Sequence, residues 1–193
     1  HERVQQSDHI LLLGDVFDLM VGAHPEYLKI FDEIFVELAN LCHKEKHVLY
    51  FEGNHDFHLN QLRELVNERY QTGEFFNVYG RDVIVELLSF KFYLSHGDNI
   101  EIENPGYRIY KSLVNNRLMN RVANHLMPYS LLHSLGEYAS ERSRKRNQKR
   151  YAPTDSANMK GVRDKFRKSA EIVVQENSDI DFIMAGHSHV QDQ

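Results

Sequence analysis

The chain has 193 residues, 41% of them hydrophobic, and a formal charge of −5 from 23 basic and 28 acidic side chains. That is enough apolar content for one core and a single domain over 1–193, and the acidic balance gives no reason to expect a nucleic-acid partner. Cys42 is the only cysteine, which excludes a disulfide framework and points to a reducing, cytoplasmic setting. No stretch approaches the roughly 20 apolar residues of a membrane span, so any membrane contact is expected to be peripheral.

The first apolar run, Ile10 to Leu13, predicts a strand buried on both faces and ends at Gly14-Asp15. Pro25 opens a helical stretch whose apolar face is Leu28, Phe31, Phe35, Leu38 and Cys42. A second strand, Val48 to Phe51, runs into Gly53-Asn54-His55-Asp56, and Leu59, Leu62, Leu65 and Val66 mark another amphipathic helix. Residues 83–88 and 90–95 read as two strands about Ser89, the second leading to His96-Gly97-Asp98. Over about 104–152 helical spacing appears without strands, and basic residues such as Arg142, Arg144, Lys145 and Arg146 collect among leucines such as Leu131, Leu132 and Leu135. This predicts an inserted cationic helical cap. A helix at about 159–176, with Val162, Phe166, Ala170 and Val173 inward, leads to a last strand, Ile180 to Ala185, and then Gly186-His187-Ser188-His189. Alternating strands and helices predict an α/β architecture.

Every one of these strands that carries chemistry is followed by a tight turn and metal-ligand types. Asp15, Asn54, His96, His187 and His189 form an oxygen and imidazole set suited to Mn²⁺, Fe or Zn²⁺, not to a structural thiolate site. Two such ions stand about 3.5–4 Å apart in two-metal hydrolases. Taken singly, Gly-Asp is a turn, Asn54 a helix cap and His-x-His a surface feature. Four such motifs in succession, each directly after a predicted strand, are poorly explained by chance.

The blocks Gly14-Asp15-Val16-Phe17-Asp18, Gly53-Asn54-His55-Asp56, His96-Gly97-Asp98 and Gly186-His187-Ser188-His189 resemble the successive signatures of calcineurin-like metallophosphoesterases. The resemblance implies a layered β-sandwich flanked by helices and two divalent metal ions, Mn²⁺ first among the candidates. It implies that Asp15 bridges both ions, that Asn54, His96 and His187 complete one site, and that His189 belongs to the other. His55 would be the cationic or proton-donating group beside the scissile phosphate and Asp56 would orient it, with Asn54 also counted among the catalytic residues. The reaction implied is in-line attack of water on phosphorus. Members of the family also carry an Asp-x-His motif roughly thirty residues ahead of the Gly-Asp block, for which the chain has no room, since Asp8 and His9 are adjacent. The expectation is therefore that N-terminal and C-terminal segments of the polypeptide are missing.

The basic insertion further resembles the lid of bacterial UDP-2,3-diacylglucosamine pyrophosphohydrolases of lipid A synthesis. Asn104 falls in an Asn-Pro-Gly-Tyr turn where those enzymes have Asp-Pro-Gly-Tyr, and Ser143, Asn147 and Arg150 match a substrate-contacting Ser, Asn and Lys set. His55 stands where that group has arginine. The resemblance implies a lipid-linked UDP-sugar as substrate, cleaved to UMP and 2,3-diacylglucosamine 1-phosphate at the inner membrane face. The alternatives are another phosphodiesterase or protein phosphatase, or a metal-free scaffold of the same fold.

Overall fold

In a computed structural model of the chain, the structure is described for residues 7–80, 82–87, 89–97, 116–126, 128–131, 134 and 156–187. The strands are β1 (His9–Leu12), β2 (Met20–Val21), β3 (His47–Phe51), β4 (Asp56–Phe57), β5 (Phe76–Tyr79), β6 (Val83–Leu87), β7 (Phe90–Ser95) and β8 (Phe182–Ala185). The helices are α1 (Pro25–Ile30), α2 (Asp32–Cys42), α3 (Leu62–Tyr70), α4 (Arg117–Arg121), which passes into a wider turn over Val122–Leu126, and α5 (Ser156–Glu176).

Two three-stranded sheets carry the molecule. One is parallel, in the order β1-β3-β5, and the other has the order β6-β7-β8, with β6 antiparallel and β8 parallel to β7. Side chains of β3 alternate between two cores, as a strand's period of two requires. Val48 and Tyr50 point into a core with Phe35, Leu38, Cys42 and Val66 of the helices. Leu49 and Phe51 point the other way and join Leu94, Val85 and Phe92 of the second sheet. The continuous apolar run at 48–51 thus reflects burial on both faces, helices on one side and a sheet on the other. The result is a mixed α/β sandwich flanked by helices, in agreement with the expected fold class.

Several boundaries differ from expectation. The helix beginning at Pro25 is interrupted at Phe31, whose backbone leaves the helical region (φ −107°, ψ 27°), and resumes as α2. β5 was not anticipated, because Phe76-Asn77-Val78-Tyr79 is short and carries a polar residue at its second position. β2 and β4 have two residues each and pair in parallel. On α5, Phe166, Ala170 and Val173 are half-buried while Ser169 is buried, and the side chain of Val162 lies outside the described residues.

Of the expected cap, the described portion includes α4, the wider turn and residues 128–131. Ala123 packs with Val21 against Leu19 and Phe57, and the Tyr129 ring meets Tyr27 edge-on at 5.1 Å. This part therefore docks onto β2, β4 and α1.

Candidate metal centre

Adjacent parallel strands end side by side, so the residues following them converge. β1 and β3 are neighbours, and Ser95 at the end of β7 lies opposite Ala185 at the end of β8. Asp15, Asn54, His96 and His187 follow those four ends. Gly14 (φ 77°) makes the first turn possible, since a Cβ there would lie 2.5 Å from Nδ1 of His96. Gly53 has no such torsional demand but a steric one, its imagined Cβ falling 2.3 Å from Oδ1 of Asp15 and 2.4 Å from the Asp15 nitrogen. Asp15 and His187 themselves adopt left-handed backbone conformations (φ 53° and 63°), which non-glycine residues hold only where their surroundings impose it.

His96 is oriented across the sandwich, by the residue that follows β1 of the other sheet. It is 3% exposed, and its Nδ1–H donates to the carbonyl of Leu13 at 2.7 Å, which turns Nε2 toward the other strand ends. That nitrogen stands 3.1 Å from Asn54 Oδ1, 3.1 Å from His187 Nδ1 and 3.5 Å from Asp15 Oδ2. Ligands about 2.1 Å from one ion at right angles to each other lie about 3 Å apart. The ligating atoms of Asp15, His96 and His187 all fall within 4.8 Å of one another. Imidazole nitrogens and oxygens converging at these distances are donor atoms that one cation could draw together. The donor set fits a divalent ion.

Asp56 has a different place from the one expected of it. Its carboxylate accepts from the backbone of Asp15 (2.9 Å), Val16 (2.8 Å) and Gly53 (2.7 Å), and from the Tyr50 hydroxyl. It clasps the Gly14-Asp15 turn to the Gly53-Asn54 turn. Asp56 is fully buried, and that burial raises its pKa above the ordinary carboxylate value despite these donors. The Tyr50 hydroxyl is pushed well up by burial and by the Asp56 charge.

The His55 ring is positioned by Asp18, whose carbonyl accepts from Nδ1 at 2.9 Å. The His55 amide donates to Asp15 Oδ1 at 2.9 Å, so the same carboxylate faces His96 with one oxygen and holds the His55 loop with the other. The expected Asp56–His55 pairing is thus replaced by a backbone carbonyl, and a carbonyl leaves no mark in a sequence. Tyr50 was read as an apolar strand residue, and its polar contribution was not evident. His189, Asn104, Ser143, Asn147 and Arg150 lie outside the described residues.

The model of the Calcineurin-like phosphoesterase family matches residues 1–191. The chain belongs to that family. Among curated proteins, the chain is 22% identical over 187 residues to a "UDP-2,3-diacylglucosamine hydrolase" of Hamiltonella defensa subsp. Acyrthosiphon pisum, covering 95% of this chain and 65% of that protein. A protein of the same name from Photorhabdus laumondii is 22% identical over 184 residues, covering 95% and 69%. One from Psychromonas ingrahamii is 24% identical over 133 residues, covering 68% and 51%. The matches thus span about half to two thirds of these relatives' lengths. Membership of the calcineurin-like phosphoesterases implies divalent metal ions, and the cluster at the strand ends supplies residues able to hold one.

Proposed function

We propose that this calcineurin-like phosphoesterase hydrolyses a phosphate ester or anhydride with the help of two divalent ions. The observation that carries the reading is the convergence of Asp15, Asn54, His96 and His187, with the His55 amide bonded to the same Asp15 carboxylate. Divalent ions held there supply polarisation of the phosphoryl oxygens and an activated water. Asp15, Asn54, His96 and His187 are the residues that would hold one ion, and Asp15 with His189 those that would hold the second. His96 is held in one tautomer by Leu13. His55 commits Nδ1–H to Asp18, so Nε2 is the nitrogen that meets the transferring group or passes a proton to the leaving oxygen. Asp56 keeps the two turns in register.

The substrate we propose is UDP-2,3-diacylglucosamine, cleaved to UMP and 2,3-diacylglucosamine 1-phosphate at the cytoplasmic face of a membrane. The relatives' names support this reading, as does the apolar surface of the cap, where Leu118, Met119 and Leu131 are 64%, 42% and 48% exposed. Among the described residues no helix is long and apolar enough to cross a membrane. Asn104, Ser143, Asn147 and Arg150 are the proposed substrate contacts of the cap, Arg150 as a charged partner of the pyrophosphate.

The test supplies Mn²⁺ and either the diacylated UDP-sugar or bis(p-nitrophenyl) phosphate. Both are expected to be cleaved, and His55→Ala should lower turnover by about 10²–10⁴-fold with metal retained. Cleavage of the small diester alone would leave a phosphoesterase and remove the lipid substrate. Cleavage of neither would contradict the reading.

A further inference from the structure

Residues 123 and 124 of the cap reach the short ribbon formed by β2 and β4, and this ribbon is what presents His55. Its rungs run from the Met20 amide to the His55 carbonyl at 2.9 Å and from the Gly22 amide to the Phe57 carbonyl at 3.0 Å. A ribbon of two residues per strand is weak by itself. The Asn124 carboxamide bridges its far end. Oδ1 accepts from the Ala23 amide at 2.8 Å, and Nδ2 donates to the His58 carbonyl at 3.0 Å. One residue earlier, the Ala123 carbonyl accepts from Nε2 of His24 at 2.8 Å, and a Cβ on Gly22 would come within 3.0 Å of that oxygen. Ala123 is buried against Val21. His58, whose carbonyl Asn124 holds, is itself 5% exposed and left-handed at φ 63°, a conformation that needs external support.

We propose that Asn124 is a positioning residue through which the cap sets the geometry of His55. The path is short. The His55 ring is fixed by Asp18, two residues before β2, and its peptide by Met20, the first residue of β2. Asn124 ties the end of that strand to the end of β4, three residues beyond His55. Loss of the bridge lets the two strands slide, and the bond between Nδ1 of His55 and the Asp18 carbonyl is the one that loosens. This inference rests on the phosphoesterase reading, and its test includes an arm that does not depend on activity.

Two variants of the full chain separate the bonds. Asn124→Asp keeps an oxygen for the Ala23 amide but sets an acceptor against the His58 carbonyl, and Asn124→Ala removes both partners. The His55 ring, assigned by comparison with His55→Gln, is followed by long-range ¹H–¹⁵N correlation. In parallel, Mn²⁺ affinity is measured calorimetrically and kcat and KM are measured for bis(p-nitrophenyl) phosphate, a diester too small to engage the cap. The expected result is loss of the Nδ1–H tautomer at His55 and a fall in kcat of about 10-fold or more, with KM and Mn²⁺ affinity within about two-fold of wild type. An unchanged His55 tautomer and kcat in both variants would overturn the proposal. So would a parallel loss of Mn²⁺ affinity, which marks a loosened site and not a displaced histidine. Should Asn124→Ala fail to fold, Asn124→Asp decides. Should the wild type cleave no diester, the tautomer measurement alone decides this one, and the phosphoesterase reading falls only if the diacylated UDP-sugar is not cleaved either.

Discussion

Four donors meet at the Asp56 carboxylate, three of them backbone amides from the two turns that carry Asp15 and Asn54. An amide in its place offers one accepting oxygen and turns an NH₂ group against the remaining donors. Because the group is fully buried and bonds to a buried charge are worth about 1.5–3 kcal/mol each, Asp56→Asn should lower the unfolding free energy by about 2–4 kcal/mol, read from urea denaturation. A loss below about 0.5 kcal/mol would remove the clasp. Gly53→Ala is a separate test at the same place, where the added methyl would collide with the Asp15 carboxylate and amide. Since displacing a ligand's supporting shell costs 10–100-fold in metal affinity, the variant should bind Mn²⁺ at least about 10-fold more weakly. That Asp15, Asn54, His96 and His187 come together was legible at this scale, not from any one motif but because each of the four follows a predicted strand. Which atoms they touch was not. The carbonyls of Leu13 and Asp18 act through the backbone, and a tyrosine in an apolar run looks the same whether or not its hydroxyl is used.

The elements follow from periodicity where they are long. α2 shows Phe35, Leu38 and Cys42 on one buried face, as the spacing predicts, and β3 divides its side chains between the helical core and the sandwich core. Short elements depend on partners far away in the chain, which is why β2, β4 and β5 escaped notice. Cys42 provides a check on the packing of α2. Burial pushes its thiol up to about 11, and the thiolate is the reactive form. The folded chain should therefore react with Ellman's reagent at pH 8 far more slowly than a free thiol of ordinary pKa, and the chain unfolded in guanidinium chloride should react at once. Rapid labelling of the folded chain would place α2 away from the core.

At the scale of the whole molecule, two sheets bring four turns together from positions 15, 54, 96 and 187, and ordered strand ends are what place such distant residues where they could hold an ion. The order of motifs along the chain carried that information, because each followed a strand. The contact between the cap and the β2–β4 ribbon had no such signal, since Asn124 is one of several asparagines in a polar, basic stretch and its partners are backbone groups. Metal binding at the strand ends is the property from which the proposed chemistry follows. Calorimetric titration with Mn²⁺ should show binding to the wild-type chain and a loss of more than about 100-fold in affinity for both Asp15→Ala and His96→Ala, exceeding the 10–100-fold of outer-shell changes, with the fold of each variant retained by circular dichroism. Wild-type affinity in both variants, or no Mn²⁺ binding by the wild-type chain, would contradict it.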